Sequence, residues 1–192
     1  MILSNIEIQK AIDEGRLIIS PDPQPRNPEA PNCPYNTTAV DLHLANALSI
    51  PQSGPYTFDL RRRGIAGFLA RNSKQITIPE EGYALKPGQF TLGATVERIN
   101  LPLLPEGKSL AARIEGKGSL ARCGLLVHFT APTVHAGFDG TLTLEMITLG
   151  VVDISLFPGM AIAQLILESV VGDPQANPSQ FQGQTTPAGT SK

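Results

Sequence analysis

Short apolar stretches separated by glycine and proline dominate the hydrophobic pattern of this chain. Glycine occurs 18 times and proline 17 times, and such punctuation is typical of many short strands joined by turns. Alternating or continuously apolar runs predict strands at 17–19, 40–44, 56–60, 75–78, 89–101, 110–115, 125–129, 141–148 and 161–170. So many strands with so little helix predict an all-β barrel or a jelly-roll-like sandwich, mainly β with short helices.

Helical spacing of apolar residues is confined to a few places. Ser4 and Glu7 fit a capping box at the start of one helix, and Gly15 is placed to end it. Shorter helical segments are predicted at 65–72 and 117–123. These helices are too short to form a layer of their own.

Two segments of biased composition flank the strands. Residues 20–36 carry six prolines, which predicts an extended surface loop or arm because proline cannot donate to a sheet. After residue 170 nearly all apolar residues disappear, with Phe181 as the exception. We therefore expect one β domain over 1–170, including the N-terminal helix and the arm, and a flexible tail over 171–192.

Composition and charge narrow the class of protein. Hydrophobic residues make up 41% and charged residues 17% of the 192, an ordinary globular balance. The net charge of −2 argues against a nucleic-acid interface, and the short basic run Arg61–Arg63 predicts a solvated turn or an ion-pair site. Two distant cysteines, no leader and no long apolar run predict a cytoplasmic protein without a membrane partner.

A glycine-rich turn at 115–122 is the first candidate for chemistry. Its glycines let backbone amides converge, and Lys117 and Arg122 add full positive charges. These features predict a phosphate cradle, because arginine can bind a phosphate through two hydrogen bonds. The alternative is a tight strand-to-helix turn with two solvated cations.

A carboxylate in the strand at 141–148 is the second candidate. Strand alternation puts Leu144 and Met146 on one face, and Thr143 and Glu145 on the other. Partial burial beside apolar neighbours would suit Glu145 to act as a general base or acid. The alternative is an exposed strand glutamate without a chemical role.

Metal chemistry finds no support in the spacing of the ligand-type residues. The three histidines are His43, His128 and His135, and no two lie at a helical i,i+4 spacing. The H-x-E pattern with a downstream C-x-x-C, which zinc-dependent base deaminases use to activate water, does not occur. We therefore expect no protein-bound metal and no zinc, and we interpret His128 as a structural residue.

Ordered motifs along nearly the whole chain carry a family resemblance. They are ILSNIEI at 2–8, DEGRLII at 13–19, VDL at 40–42, LKPGQF at 85–90, LGATVE at 92–97, EGKGSLARCGL at 115–125, VHFTA at 127–131, GFDGTLTLE at 137–145, FPGM at 157–160, AQL at 163–165 and FQGQ at 181–184. In these segments the chain resembles the dCTP deaminase family, which belongs with the trimeric dUTPases.

The resemblance implies a fold, an assembly and an activity. The subunit would be a distorted β-barrel or jelly-roll, and three sites would lie between the subunits of a homotrimer, each closed by a C-terminal tail. The activity would be hydrolytic deamination of dCTP, or of a closely related cytosine deoxynucleotide, to dUTP and ammonia. It would need no zinc, and Mg²⁺ would be bound through the phosphates of the pyrimidine deoxynucleoside triphosphate.

The resemblance also implies roles for individual residues. Glu145 would be the general base and Arg122 the second catalytic residue. The nucleotide and its phosphates would be bound at Lys117, Gly118, Ser119, Leu120, Ala121, Arg122, Thr130, Ala131, His135, Thr143, Leu144 and Gln184.

Several positions depart from the family pattern and keep an alternative open, and they include Asp173 and Gln180, where the usual tyrosine and lysine contacts to the triphosphate are absent. Gly118 stands where the family has a serine that helps to hold the reacting water, and His135 stands where it has an aspartate. The alternative is a dUTPase-like protein, or a nucleotide-binding or regulatory relative with altered catalysis. His135 argues against dUTP hydrolysis, because a carboxylate that serves that reaction is missing.

Overall fold

Two antiparallel sheets and three short helices form the fold in the computed structural model, which describes residues 1–177 and 179–190. The helices are α1 (Asn5–Asp13), α2 (Ile65–Arg71) and α3 (Gly118–Arg122). The strands are β1 (Ile18–Ser20), β2 (Tyr35–Asn36), β3 (Ala39–His43), β4 (Ala47–Pro51), β5 (Ser73–Thr77), β6 (Tyr83–Leu85), β7 (Thr91–Asn100), β8 (Leu110–Gly116), β9 (Leu125–Val127), β10 (Thr133–Val134), β11 (Asp139–Thr148), β12 (Ile154–Leu156) and β13 (Ala161–Ser169).

The two large sheets share one hydrophobic core. The first has the order β5-β4-β7-β11-β9, with β1 also paired to β7, and the second has the order β10-β8-β13-β3-β2. β12 and β6 form a separate pair. Buried residues of both large sheets join one core cluster, which confirms the predicted jelly-roll type of fold. The strands of the described chain do not close into a barrel.

Strand β11 shows why the sequence folds in this way. Its burial alternates without interruption, and Leu144 and Met146 are completely buried. Thr143 and Glu145, on the other face, are only partly buried. The period-two pattern therefore fixes which side chains of β11 lie in the core and which are left for a site.

A β-bulge interrupts the pairing of β11 with β7. The register shifts between Thr141 and Thr143, and there the backbone N–H of Leu142 donates to the hydroxyl of Thr95 at 2.9 Å. The same hydroxyl donates to the carbonyl of Glu97 at 2.7 Å. A buried side chain thus replaces the missing backbone partner and satisfies the bulge.

A buried carboxylate links the two sheets. Glu97 on β7 is 5% exposed. It accepts a hydrogen bond from the backbone N–H of His43 on β3 at 2.9 Å and contacts Nδ1 of that imidazole at 2.6 Å. The hydrogen bond to Glu97, opposed by burial, holds the pKa of His43 above its ordinary value.

Most predicted elements are confirmed, and one is wrong. Helix α1 begins after Ser4, whose Oγ accepts from the N–H of Glu7 at 3.4 Å. The strand predicted at 56–60 does not form. Tyr56 and Phe58 instead pack against Phe68 of α2, with ring centroids 5.6 Å and 4.8 Å apart. The alternating aromatic pattern is typical of a strand, but these rings pack within the β4–β5 connection (residues 52–72).

The sequence pattern missed several short strands. The most important is β4, which pairs with β5 and β7 within the first sheet. This strand of five residues ends at Pro51, and three of its residues are buried in succession. Its sequence therefore lacks the alternation of apolar and polar residues by which the other strands were predicted. The others, β2, β6, β10 and β12, are only two or three residues long, too short for a periodic signal.

The proline-rich arm packs on its own chain. Arg26 forms an ion pair with Asp13 of α1 at 2.5 Å, and Gln9 Nε2 donates to the carbonyl of Arg26 at 3.0 Å. The hydroxyl of Tyr35 donates to the carbonyl of Pro23 at 3.3 Å. The arm is therefore held against the N-terminal helix.

The C-terminal tail docks on the edge of the bulged region of β11. The predicted tail, 171–192, is described except at positions 178, 191 and 192. The backbone N–H of Thr141 donates to the carbonyl of Gln184 at 3.0 Å, and Gln184 Nε2 donates back to the carbonyl of Thr141 at 2.7 Å. Gly183 N–H adds a bond to the carbonyl of Asp139 at 2.8 Å. These contacts leave Gln184 only 6% exposed.

The close approach at Gly140 makes this docking testable. A Cβ at Gly140 would lie 3.1 Å from the carbonyl oxygen and 3.2 Å from the nitrogen of Gln184. We expect Gly140→Ala to weaken tail docking by about 1–3 kcal/mol, the usual cost of overpacking. Hydrogen exchange measured by mass spectrometry should be faster across 181–185.

Gly116→Ala is the matched control, because a Cβ there would meet Val127 only at the ordinary contact distances of 3.7–3.9 Å. Equal exchange of the tail amides in both variants and the wild type would contradict this docking.

Candidate active site

A cavity of about 670 Å³ lies between β11 and the docked tail. The walls come from β11, from the segment 131–138, from helix α2 and from the tail. The size falls in the range of small-molecule sites. Most of its lining surface is apolar, and the polar side chains in the wall include His128, Thr143 and Glu145. No helix in the described ranges is long and apolar enough to cross a membrane.

Glu145 and His128 form the polar centre of the cavity. Strand alternation on β11 directs the Glu145 side chain into the cavity, and His128 follows directly after β9, the neighbouring strand. The imidazole Nδ1 lies 2.8 Å from Glu145 Oε2, an ion-pair distance without the alignment of a hydrogen bond. The exposed fractions are 11% for the His128 side chain and 29% for that of Glu145.

The backbone fixes the orientation of the His128 ring. His128 has a φ of 52°, in the left-handed region that few non-glycine residues adopt. Its N–H donates to the carbonyl of Glu145 at 2.8 Å, and its Nε2 lies 2.8 Å from the carbonyl of Ala131. Because a carbonyl can only accept, Nε2 carries a hydrogen, and Nδ1 is the ring nitrogen that faces the carboxylate.

Electrostatics favour a proton shared by this pair. Burial of the ring opposes its protonation, but the short contact with the Glu145 carboxylate and the charge of that group outweigh burial. The pKa of His128 is therefore raised above its ordinary value. The pair can hold one proton between an imidazole and a carboxylate inside a largely apolar cavity.

One buried polar atom of this cavity, the hydroxyl oxygen of Thr143, has no partner among the described residues. Glu145 Oε2 and His128 Nδ1 lack a well-aligned hydrogen bond and contact only each other, at 2.8 Å. Buried polar atoms are nearly always satisfied in native proteins, by protein groups, ordered water or a ligand. The Thr143 hydroxyl, on the same face of β11 as Glu145, therefore marks a position where a polar molecule would bind.

The structure brings five of the predicted site residues together. Ala131, His135, Thr143, Glu145 and Gln184 all line the cavity. Gln184 lines it while its amide Nε2 is used to hold the tail. His135 is exposed, and its ring faces no partner in the part of the chain that the structure describes.

Other predicted site residues lie elsewhere. Thr130 does not line the cavity, and Leu144 is completely buried in the core, on the opposite face of β11 from Glu145. The glycine-rich turn from Lys117 to Arg122 also lies outside the cavity of its own chain. It forms α3, preceded by Lys117 as the N-cap, as the predicted helical segment required.

Within that turn the two cations differ. Lys117 Nζ forms an ion pair with Asp41 Oδ2 at 2.5 Å, and Gln164 and Asn36 also hydrogen-bond Asp41. Arg122 is exposed and has no ion pair within the described ranges. Lys117 is therefore fixed by structure, whereas Arg122 is available to an anion.

Sequence reasoning missed two features of the site. It interpreted His128 as structural, and the histidine does hold the Ala131 carbonyl, but it also contacts the predicted base. It also gave no sign that Ile65 and Leu69 of α2 line the cavity. Both depend on long-range packing, which no local spacing encodes.

Comparison with known proteins identifies the family of this chain. The sequence profile described as "dCTP deaminase-like" matches residues 2–170. A protein of Methanosphaera stadtmanae named "dCTP deaminase, dUMP-forming" is 30% identical over 196 residues, which cover 97% of this chain and 91% of the relative. One of Natronomonas pharaonis named "dCTP deaminase" is 33% identical over 201 residues, which cover 97% and 92%.

A solved structure supports the fold independently. The 2'-deoxycytidine 5'-triphosphate deaminase of Agrobacterium tumefaciens superposes with a TM-score of 0.63 and 17% sequence identity. The match covers 88% of this chain but 48% of that one, so this chain spans about half of its length. The chain belongs to the dCTP deaminase-like family, and it is an enzyme of that family.

Proposed function

We propose that this protein catalyses the hydrolytic deamination of dCTP or of a closely related cytosine deoxynucleotide. The observation that carries the proposal is the Glu145 carboxylate, which lies 2.8 Å from His128 Nδ1 in a largely apolar cavity. A carboxylate that can take up and return a proton there suits a reaction at the cytosine ring. The relatives' names supply the substrate.

In this mechanism Glu145 moves the protons. Its carboxylate takes a proton from a water molecule as the water oxygen forms a bond to C4 of cytosine, and that proton passes to N3 as the C4–N3 double bond opens. The carboxylate then carries the remaining hydroxyl proton to the exocyclic amine, C4=O forms, the C4–N bond breaks, and ammonia leaves. The hydroxyl of Thr143, which has no partner among the described residues, would orient the water in place of the serine missing at Gly118.

His128 positions the base in this scheme. Its ring is fixed by the Ala131 carbonyl and lies against Glu145. A proton on Nδ1 would keep Glu145 ionised before the water attacks, which is the state that a general base needs. His128 itself need not contact the substrate.

The phosphates require cations from outside the cavity wall. No lysine or arginine of the described residues lines the cavity, and Glu145 is its one carboxylate. We propose a homotrimer in which α3 of a neighbouring subunit presents Arg122 and Ser119 to the phosphates. Mg²⁺ would be bound by the triphosphate, because a wall with a single carboxylate is a poor cage for this ion.

Replacement of the base tests the mechanism directly. We expect Glu145→Gln to lower kcat for dCTP deamination by about 10²- to 10⁴-fold, the usual contribution of a general base. Release of ammonia in the presence of Mg²⁺ is the measurement. Glu81→Gln is a matched control, because Glu81 is an exposed glutamate of a turn that lies outside both the cavity and the glycine-rich segment.

Unchanged turnover in Glu145→Gln would refute the assignment of the base. Absence of turnover in the wild type would refute the deaminase and favour a relative that binds nucleotides without converting them.

Mixing of two inactive variants tests the shared site. Glu145→Gln and Arg122→Ala subunits should each form inactive trimers. Co-expression of both should restore roughly a quarter of the wild-type activity, because that share of interfaces in a random trimer pairs two intact halves. Sedimentation of the mixed protein must show a trimer. No recovery of activity in such trimers would show that the two residues serve the same subunit's site.

A second candidate reaction is favoured by the names of several relatives. These proteins are called "dCTP deaminase, dUMP-forming". The sequence predicts dUTP as the product, whereas the names of these relatives give dUMP. Formation of dUMP requires a second water to cleave the bond between the α and β phosphates, with release of pyrophosphate. His135, at the cavity wall, is the group of this chain that could activate such a water.

Product analysis separates the two reactions. Under the second candidate, chromatography of a dCTP reaction should show dUMP and pyrophosphate in equal amounts with the ammonia released. His135→Ala should then shift the product towards dUTP while ammonia release continues. Accumulation of dUTP by the wild type would exclude the dUMP-forming reaction for this protein.

A further inference from the structure

We infer that the arginine run of the β4–β5 connection binds the phosphates of the nucleotide held in the cavity. The relevant residues are Arg61, Arg62 and Arg63, which precede α2. This inference rests on the proposed function, since it assumes that a nucleotide occupies the cavity. It adds a set of cations from the same subunit as Glu145.

The connection is the most cationic segment around the cavity. Residues 52–72 contain four arginines and one aspartate, a net charge of +3, in a chain whose net charge is −2. The cavity wall itself contains no lysine or arginine within the described ranges. Any anionic end of a ligand must therefore reach cations that stand beside the wall rather than in it.

Helix α2 brings the arginine run to the cavity. Ile65 and Leu69, one turn apart on the helix, both line the cavity wall. Only Gly64 separates Arg63 from Ile65, so the two Cα atoms can be no more than about 7.6 Å apart. Gly64 adopts a φ of 94°, in the left-handed region, and this turn sets the direction in which the chain passes from the arginine run into the helix.

Asp59 is the one acidic partner of this run in the described chain. It accepts two side-chain hydrogen bonds from Arg61, each of 2.9 Å, and Arg62 contacts the same carboxylate at 3.8 Å. The Arg61 and Arg62 side chains remain 91% and 80% exposed. Arg63 has no ion pair in the described chain. Because Arg61 binds both oxygens of Asp59, the guanidinium groups left to bind a phosphate are those of Arg62 and Arg63.

The connection also has its own packing to hold the run in place. Tyr56 and Phe58, which precede the run in sequence, pack on Phe68 of α2, which follows it. The arginines thus sit in a short loop closed by three aromatic rings. A closed loop loses less conformational entropy on binding a phosphate than a free chain end would.

Calorimetry on matched variants tests the inference. Full-length wild type, Arg63→Gln and Arg71→Gln are each titrated with dCTP and with deoxycytidine. Arg71 belongs to the same helix, and at 100° per residue it points away from the face of Ile65 and Leu69. We expect Arg63→Gln to weaken dCTP binding about three- to tenfold. Deoxycytidine binding should stay unchanged, as should both affinities of Arg71→Gln.

Three outcomes overturn the inference. The first is that Arg63→Gln and Arg71→Gln bind dCTP equally well and that a triple variant, with Gln at positions 61, 62 and 63, binds it as tightly as the wild type. Another is an equal loss for deoxycytidine, which would mean a damaged cavity. The third is a wild type that binds neither ligand, which would overturn the proposed function as well. If Arg63→Gln selectively loses dCTP binding but the wild type releases no ammonia, the inference is supported and only the deamination reaction is rejected.

Discussion

The alternation of β11 is the constraint on which the rest of the structure depends. Its inward residues, such as Leu144 and Met146, complete the core between the two sheets. The same geometry turns Thr143 and Glu145 towards the cavity. A slip of one residue would bury the carboxylate in the core and expose the leucines. Stability of the fold and placement of the cavity carboxylate are therefore set by a single register.

The proposed mechanism separates proton chemistry from anion recognition. The pair of Glu145 and His128 lies in an apolar surrounding, where a shared proton is strongly held. Full positive charges at that position would favour the ionised carboxylate so strongly that it would return protons poorly. Arg122 and the run before α2 do not line the cavity that contains the pair.

The sequence predicts the principal strands and the carboxylate that lines the cavity, because both follow from local periodicity. The alternation around Glu145 and the capping residue Ser4 are signals contained within a few neighbours. The position of α2 against the cavity, the contact between His128 and Glu145, and the ion pair of Lys117 with Asp41 join residues far apart in sequence. The strand predicted from the aromatic pattern at 56–60 was wrong for the same reason, because these rings pack on a residue of helix α2 rather than pair with a strand.

The hydrogen bonds between Gln184 and Thr141 place the tail on the strand that carries Glu145, only four residues from it. If a ligand binds the cavity more tightly when the tail is docked, tail docking and ligand binding favour each other by the same factor. A ligand that favours the closed tail would lose affinity whenever the tail is loosened, although no contact with the ligand has changed. Distant changes in this segment would thus be felt as changes in apparent nucleotide affinity.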